Sequence, residues 1–164
     1  ISCENKINVI KKLINKNSGI IYVRSRKKAK EISEQLNKIG FSTDFYHAGL
    51  DHQTRSIKQK GWLTEKTKTI VATSAFGMGI DKENVRFVIH YDLPESLESF
   101  YQEAGRAGRD GKPAYNYLLC KEKDTKNLLK KTSSKYPSIE QIKKTYQQFC
   151  NINQISVGEL PKHS

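Results

Sequence analysis

Most markers of a secreted, membrane-spanning or self-contained catalytic chain are missing from this sequence. Its three cysteines, Cys3, Cys120 and Cys150, include no CxxC pair, which excludes a disulfide framework and a cysteine-rich zinc site. No apolar run approaches the roughly 18 residues needed to cross a bilayer. The opening Ile1-Ser2-Cys3-Glu4-Asn5 lacks the basic start and apolar stretch of a secretion signal, so a reducing cytosol is the simplest home. No GxxxxGK[ST] phosphate loop occurs: Gly111-Lys112 has Arg106 where the earlier glycine should stand, and Pro113 follows. No Asp-Glu pair is available to hold Mg²⁺, and no Ser/His/Asp or Cys/His arrangement supports nucleophilic catalysis. The chain opens on Ile1 and not on methionine, as expected of a piece cut from something longer.

What is present is charge. Lys and Arg number 29 against 17 Asp and Glu, a formal net charge of +12 over 164 residues. A field of that sign favours polyanions and speeds their encounter, with nucleic acid the first candidate. The plainer alternative is that surplus lysine only keeps the chain soluble. The length is about one domain's worth, enough to bury roughly 70% of the surface of the unfolded chain.

The hydrophobic pattern alternates between two periods. Ile7, Ile10, Leu13 and Ile14 repeat at helical spacing, and Gly19-Ile20-Ile21-Tyr22-Val23 is a short apolar run that predicts a buried strand. Ala29, Ile32, Leu36 and Ile39 return to helical spacing, with Gly40 placed to stop the helix. Further strands are expected at 41–46, 69–73, 85–90 and 114–120. Helices are expected at 51–63, weakened and interrupted by Gly61, from the Ser96 cap through Tyr101, and at 121–132. This alternation predicts an α/β fold with a mostly parallel sheet flanked by helices. In such sheets ligands bind beyond the carboxyl ends of strands, which directs attention to the loops after Val23, Tyr46, Ala72 and Ile89. Ser133 to Pro137 is turn-forming, and Ser138 with Gln141 makes a capping box for a helix carrying Ile139, Ile142, Tyr146 and Phe149. The expected division is therefore one domain over 1–132 and a short helical extension over 133–164.

Four loops carry candidate chemistry. In Gln102-Glu103-Ala104-Gly105-Arg106-Ala107-Gly108-Arg109-Asp110-Gly111, two arginines sit among three glycines. Their guanidinium forks match phosphate oxygens in paired hydrogen bonds and stay charged at any relevant pH; taken alone, the segment is equally a flexible basic turn. Thr73-Ser74-Ala75-Phe76-Gly77-Met78-Gly79-Ile80-Asp81 lets backbone N–H groups approach a phosphate or sugar, with Asp81 able to accept from a ribose hydroxyl. It is no dinucleotide fingerprint, because Lys82 stands where a third glycine belongs; a tight turn with Phe76 and Met78 in the core is the structural alternative. Tyr46-His47-Ala48-Gly49-Leu50 sits at a strand end, where a lone histidine is more often a structural hydrogen-bonder. Val23-Arg24-Ser25-Arg26 opens a helix, where N–H groups, a hydroxyl and arginine can hold a phosphate, although an ordinary basic cap looks the same.

Taken in order, GIIYVRSRKKAKEISEQL (19–36), YHAGL (46–50), IVATSAFGMGIDKENVRFVIHYDLP (70–94) and SLESFYQEAGRAGRDG (96–111) resemble the second RecA-like domain of superfamily-two helicases, with the wording of the RecQ family of DNA helicases. The resemblance implies a motor half whose first RecA-like domain, joined in cis, carries the phosphate loop and holds most of the ATP and Mg²⁺. It implies that Arg109 is an arginine finger, that Arg106 supports the phosphates and that Gln102 couples nucleotide state to domain closure. Asp81, with Gly79 before it, would meet the ribose. Ser25, Arg26, His47 and Thr73, with Arg55 a weaker candidate, would line the single-strand DNA track. The implied activity of the whole protein is ATP-driven 3′ to 5′ stepping on single-stranded or duplex DNA, in the cytoplasm or, in a eukaryote, the nucleus, while this chain alone neither hydrolyses ATP nor unwinds. A non-catalytic nucleic-acid-binding module and an RNA helicase domain of the same superfamily remain as alternatives. RecQ proteins commonly continue into a four-cysteine zinc site, but only Cys150 lies beyond the last motif here. Either the other ligands lie past Ser164 or this is a zinc-free variant; the plain amphipathic pattern of Ser138 to Val157 favours the variant, with Cys150 a buried apolar residue and no zinc in this chain.

Overall fold

The computed structural model describes residues 5–14, 17–77, 80–135 and 137–152, with the backbone alone for 131–135. In chain order the elements are α1 (Lys6–Leu13), β1 (Gly19–Tyr22), α2 (Arg26–Lys38), β2 (Thr43–Tyr46), α3 (His52–Leu63), β3 (Thr69–Ala72), β4 (Phe87–His90), α4 (Leu97–Ala104), β5 (Tyr115–Leu118), α5 (Glu122–Lys135) and α6 (Ile139–Ile152). The strands form one sheet in the order β2-β3-β1-β4-β5, and every pairing is parallel. The α/β expectation holds.

Position in the sheet explains which strands read as continuous apolar runs. β1, β3 and β4 lie inside the sheet and every residue of each is buried, as expected when helices cover both faces. The edge strand β5 instead opens on exposed Tyr115 and Asn116. Gly19 is required by close packing, since a Cβ there would stand 2.1 Å from the Phe87 ring.

Alternate residues feed two cores. Ile21, Val23, Val71, Phe87 and Ile89 pack under α1 and α2 through Ile10, Ala29, Ile32 and Leu36. Ile20, Tyr22, Tyr46, Ile70, Ala72 and Val88 face the other way, against Trp62, Phe76 and Val85. Trp62 is fully buried, and its indole N–H donates to the Gly19 carbonyl at 3.2 Å. Truncating it to alanine would cost about 3–5 kcal/mol. That anchor explains why α3 is not interrupted at Gly61 but runs on to Leu63: a mid-helix glycine costs only about 1 kcal/mol relative to alanine. Phe76 is buried in this second core as expected, whereas Met78 lies outside the described residues.

Side-chain caps start the helices. Asn5, Ser25, Asp51 and Ser96 each accept a backbone N–H from the first turn that follows. The chain divides into two compact units, 1–125 and 126–164, at a point inside α5, and α5 runs on to Lys135, through part of the stretch at 133–137 that the sequence predicts as a turn. In the second unit, α6 opens on the expected capping box: Ser138 Oγ accepts from Gln141 N at 3.2 Å, and Gln141 Oε1 accepts from Ser138 N at 2.9 Å. Cys150 is buried, while Ile139, Ile142, Tyr146 and Phe149 are exposed.

Candidate functional site

The sheet register aligns Tyr46, Ala72, Tyr22, His90 and Leu118 across the carboxyl edge. The residues that follow them gather the candidates for a nucleic-acid track. Thr73 N donates to Tyr46 O at 3.2 Å, which fixes Thr73 beside His47 at the ends of β3 and β2. Ser25 caps α2, accepting from Lys28 N at 3.2 Å, and Arg26 is the first residue of that helix. The Arg26 guanidinium lies across Gly49, where a Cβ would come within 2.6 Å of Nη1. Gly49 therefore keeps Arg26 beside the His47 loop. Burial first, and then the charges of Arg26 and Lys58, hold the His47 imidazole below its ordinary pKa, so it stands neutral near pH 7. Arg55 lies in the first part of α3 and has a buried Nε without a hydrogen-bond partner, as does His47 at Nδ1. A cleft of about 160 Å³ opens at the same edge, lined by Arg24, Thr73, Ser74, Asp92, Ser99 and Glu103 among others.

The two arginines sit elsewhere. Gly108 N donates to Val85 O at 2.9 Å, and Arg86 pairs with Asp110 at 2.5 Å. Val85 and Arg86 immediately precede β4, so the arginine turn is fastened at the amino edge of that strand. The carboxyl-end rule locates the track candidates but not this turn, which enters from the far end of α4. Arg86 is the fastening that the sequence reading missed. Besides Asp110 it donates to the carbonyls of Pro113 (3.1 Å), Glu83 (3.3 Å) and Asn84 (3.4 Å). Its hydrogen bond to Asp110 is the leading cause that holds that carboxyl below the usual range. An arginine opening an otherwise apolar strand, opposite an Asp-Gly turn, was the available signal.

Each arginine is held by the glycine-rich segment before β4, and the two line one small pocket with Gly77, Ile80 and Lys82. Arg106 Nη1 donates to Gly77 O at 2.6 Å, and Arg109 Nη1 pairs with Asp81 Oδ1 at 2.8 Å. Gly77 has φ +126°, and a Cβ there would meet Arg106 Cζ at 2.2 Å, so conformation and space both demand glycine. Arg106 Nε is buried without a hydrogen-bond partner, whereas the Arg109 side chain is 40% exposed and Asp81 78%. The exposed Arg109–Asp81 pair suits an anionic ligand arriving from solvent, with Arg106 held beside it through Nη1. Gln102 bonds within α4, its amide donating to Glu98 Oε1 at 3.3 Å. Gly79 lies outside the described residues.

Behind both regions is a buried polar column. The Tyr22 hydroxyl donates to Phe76 O at 3.2 Å, and its ring stacks on His90 at 5.7 Å. His90 is fully buried, with Nε2 2.9 Å from Glu103 Oε2 and its ring 5.0 Å from Phe100. Burial drives the Tyr22 phenol far above its ordinary pKa, against the opposing pull of Arg106. Among the described residues no group of three or more His, Cys, Asp or Glu stands together that could hold a metal ion, and no helix is long and apolar enough to cross a membrane.

Comparison with known proteins gives the family and the fold. Residues 5–111 match the family model described as the helicase conserved C-terminal domain. The chain is 48% identical over 124 residues to the RecQ-like DNA helicase blm-1 of Caenorhabditis elegans, covering 76% of this chain and 13% of the relative. It is also 48% identical over 130 residues to the ATP-dependent DNA helicase RecQ of Pasteurella multocida, covering 77% and 21%. The chain thus spans about a fifth or less of these relatives' length. Among solved structures, it resembles the C-terminal domain of the DEAD-box protein Dbp5, with TM-score 0.66, 26% identity and 78% of each chain covered. Saccharomyces cerevisiae Dbp5 bound to RNA and ADP BeF3 is similar at TM-score 0.68 and 26% identity, covering 79% of this chain and 36% of that one.

Proposed function

The chain belongs to the helicase conserved C-terminal domain family, as a RecQ-type member, and on that premise we propose that it is the second motor domain of an ATP-dependent DNA helicase. The observation that carries this reading is the clasp between the two motifs. Arg106 is bonded to the Gly77 carbonyl and Arg109 to the Asp81 carboxylate. Two arginines without a phosphate loop complete a nucleotide site that another domain owns. ATP and Mg²⁺ sit mainly on that partner domain, joined in cis.

Arg109 acts as the finger. Its pair with Asp81 is exposed and worth only about 0–1 kcal/mol, so a phosphate oxygen can displace the carboxylate. Asp81, with Gly79, is then left to accept from the ribose. Arg106 is held more firmly, by a short bond to a carbonyl, and supports the phosphates from a fixed position. Gln102, on the last turns of α4, reports nucleotide state to the closing domains. Because these contacts form only on closure, ATP binds the closed state better and pulls the domains together. Hydrolysis removes the γ-phosphate charge and lets them part.

Ser25, Arg26, His47, Thr73 and Arg55 grip one DNA strand through its phosphates, with little base specificity. Alternating grips give 3′ to 5′ stepping. DNA is favoured over RNA because the more similar relatives are DNA helicases and the RNA-bound neighbour is only 26% identical. The cytoplasm, or the nucleus in a eukaryote, is the corresponding site of action.

The test compares this chain with the same chain joined to its phosphate-loop domain. The joined protein is expected to hydrolyse ATP faster when single-stranded DNA is added. The isolated chain is expected to show no turnover and only weak, salt-sensitive strand binding. DNA-stimulated turnover by the isolated chain contradicts the half-site reading.

A further inference from the structure

Arg106 can serve a nucleotide only if Gly77 O stays where it is, and the structure shows what fixes that carbonyl. Thr73 to Gly77 forms a turn closed by Phe76 N donating to Thr73 O at 3.0 Å. The Phe76 ring is wedged edge-on against Trp62 at 5.2 Å and Tyr46 at 4.8 Å. Its carbonyl accepts from the buried Tyr22 hydroxyl at 3.2 Å. The next carbonyl, Gly77 O, accepts from Arg106 Nη1 at 2.6 Å and from Ile80 N at 3.1 Å. The tyrosine and the arginine therefore bond the carbonyls of consecutive peptide planes, which meet at the Gly77 Cα. Tyr22 is itself immobilised: it is 3% exposed, lies on the central strand and stacks on fully buried His90, which abuts Glu103 of α4. A tyrosine here needs a partner for its hydroxyl, whereas phenylalanine would fill the same space in the core without one.

We propose that Tyr22 is a positioning residue for Arg106, its hydroxyl pinning the Phe76 peptide so that Gly77 O presents the guanidinium to the nucleotide. The inference rests on the motor reading above, because it assigns Tyr22 a role only through Arg106. It also gives the Thr73–Gly77 turn a second duty, since one end lies in the strand track and the other holds Arg106.

The experiment uses the protein in which this chain is joined to its phosphate-loop domain, saturated with single-stranded DNA. Tyr22→Phe removes one hydroxyl and keeps the packing. We expect kcat for ATP to fall roughly 2- to 10-fold, the weight of one hydrogen bond, with KM for ATP essentially unchanged and the melting temperature lowered by only a few degrees. Gly77→Ala, which drives a methyl into Arg106, is expected to lower kcat further. On an Arg106→Lys background, Tyr22→Phe should add nothing, because the two act as one unit. An unchanged kcat in Tyr22→Phe, or the same fold loss on both backgrounds, overturns the proposal. So does a loss that follows the melting temperature alone. If Arg106→Lys itself leaves kcat untouched, the arginine reading fails first and this inference falls with it.

Discussion

At the carboxyl edge, Arg26 leans over Gly49 and Arg55 keeps a buried Nε without a partner; at the arginine turn, Arg106 also keeps such an Nε, but its Nη1 is bonded to Gly77 O and Arg109 is paired with Asp81. The arginine ion pairs among the described residues are Arg24–Glu95, Arg86–Asp110 and Arg109–Asp81, and none of them belongs to a track arginine. The two regions therefore meet a phosphate differently. At the edge a strand adds contacts without breaking any, so grip grows with each basic group and weakens smoothly with salt. At the turn a phosphate must replace Asp81 on Arg109, so the response is an exchange of partners. An edge of that kind suits holding, and a clasp suits switching.

The largest effect that distinguishes them is expected from Arg109→Ala in the joined protein. Hydrolysis should fall by roughly 10³-fold or more, the usual worth of an arginine finger, while ATP binding measured by titration changes only a few-fold. Comparable loss of both would make Arg109 an ordinary ground-state ligand. Asp81→Asn comes next: losing a charged acceptor for the ribose should raise KM for ATP about ten-fold, with kcat nearly kept because Arg109 is released. A kcat loss as deep as that of Arg109→Ala would mean that Asp81 must deliver the finger and not merely park it.

The track variants are gentler. Arg26→Ala or Arg55→Ala should weaken single-strand binding several-fold and lower the slope of log affinity against log salt by about 1 each, leaving turnover at saturating DNA close to the parent's. A drop in saturated turnover would join the two regions into one.

The smallest effect is a pH dependence. His47 has its pKa lowered in the free protein by burial, Arg26 and Lys58, so it is neutral near pH 7. An arriving phosphate stabilises the cation and raises the pKa, so binding takes up a proton. Strand affinity should therefore rise as pH falls through and below the ordinary histidine value of about 6.5, and His47→Gln should flatten the profile. A wild-type profile already flat between pH 5.5 and 8 would remove His47 from the track.

Much of this fold was legible because β1, β3 and β4 are buried on both faces and so read as unbroken apolar runs. The caps Ser25, Ser96 and Ser138 were legible because capping is local chemistry. The course of α3 through Gly61 was not, because Trp62 decides it from across the core. Strand order and the clasp also lay beyond local pattern. Nothing in the spacing of Gly77 and Arg106, 29 residues apart, says that one carbonyl holds the other's guanidinium. Family resemblance paired the two motifs, and the structure supplies a physical reason for the pairing. Tyr22 and Arg86 escaped notice for a related cause: each serves the site from within or beside a strand, through partners distant in sequence.

The separation of the two regions is tested most directly by the salt dependence of single-strand binding in Arg109→Ala, measured in the joined protein without nucleotide. If the arginine turn serves ATP alone, the slope of log affinity against log salt equals the parent's, although hydrolysis is lost. A slope lower by about 1 would place Arg109 on the DNA and contradict the division between clasp and track.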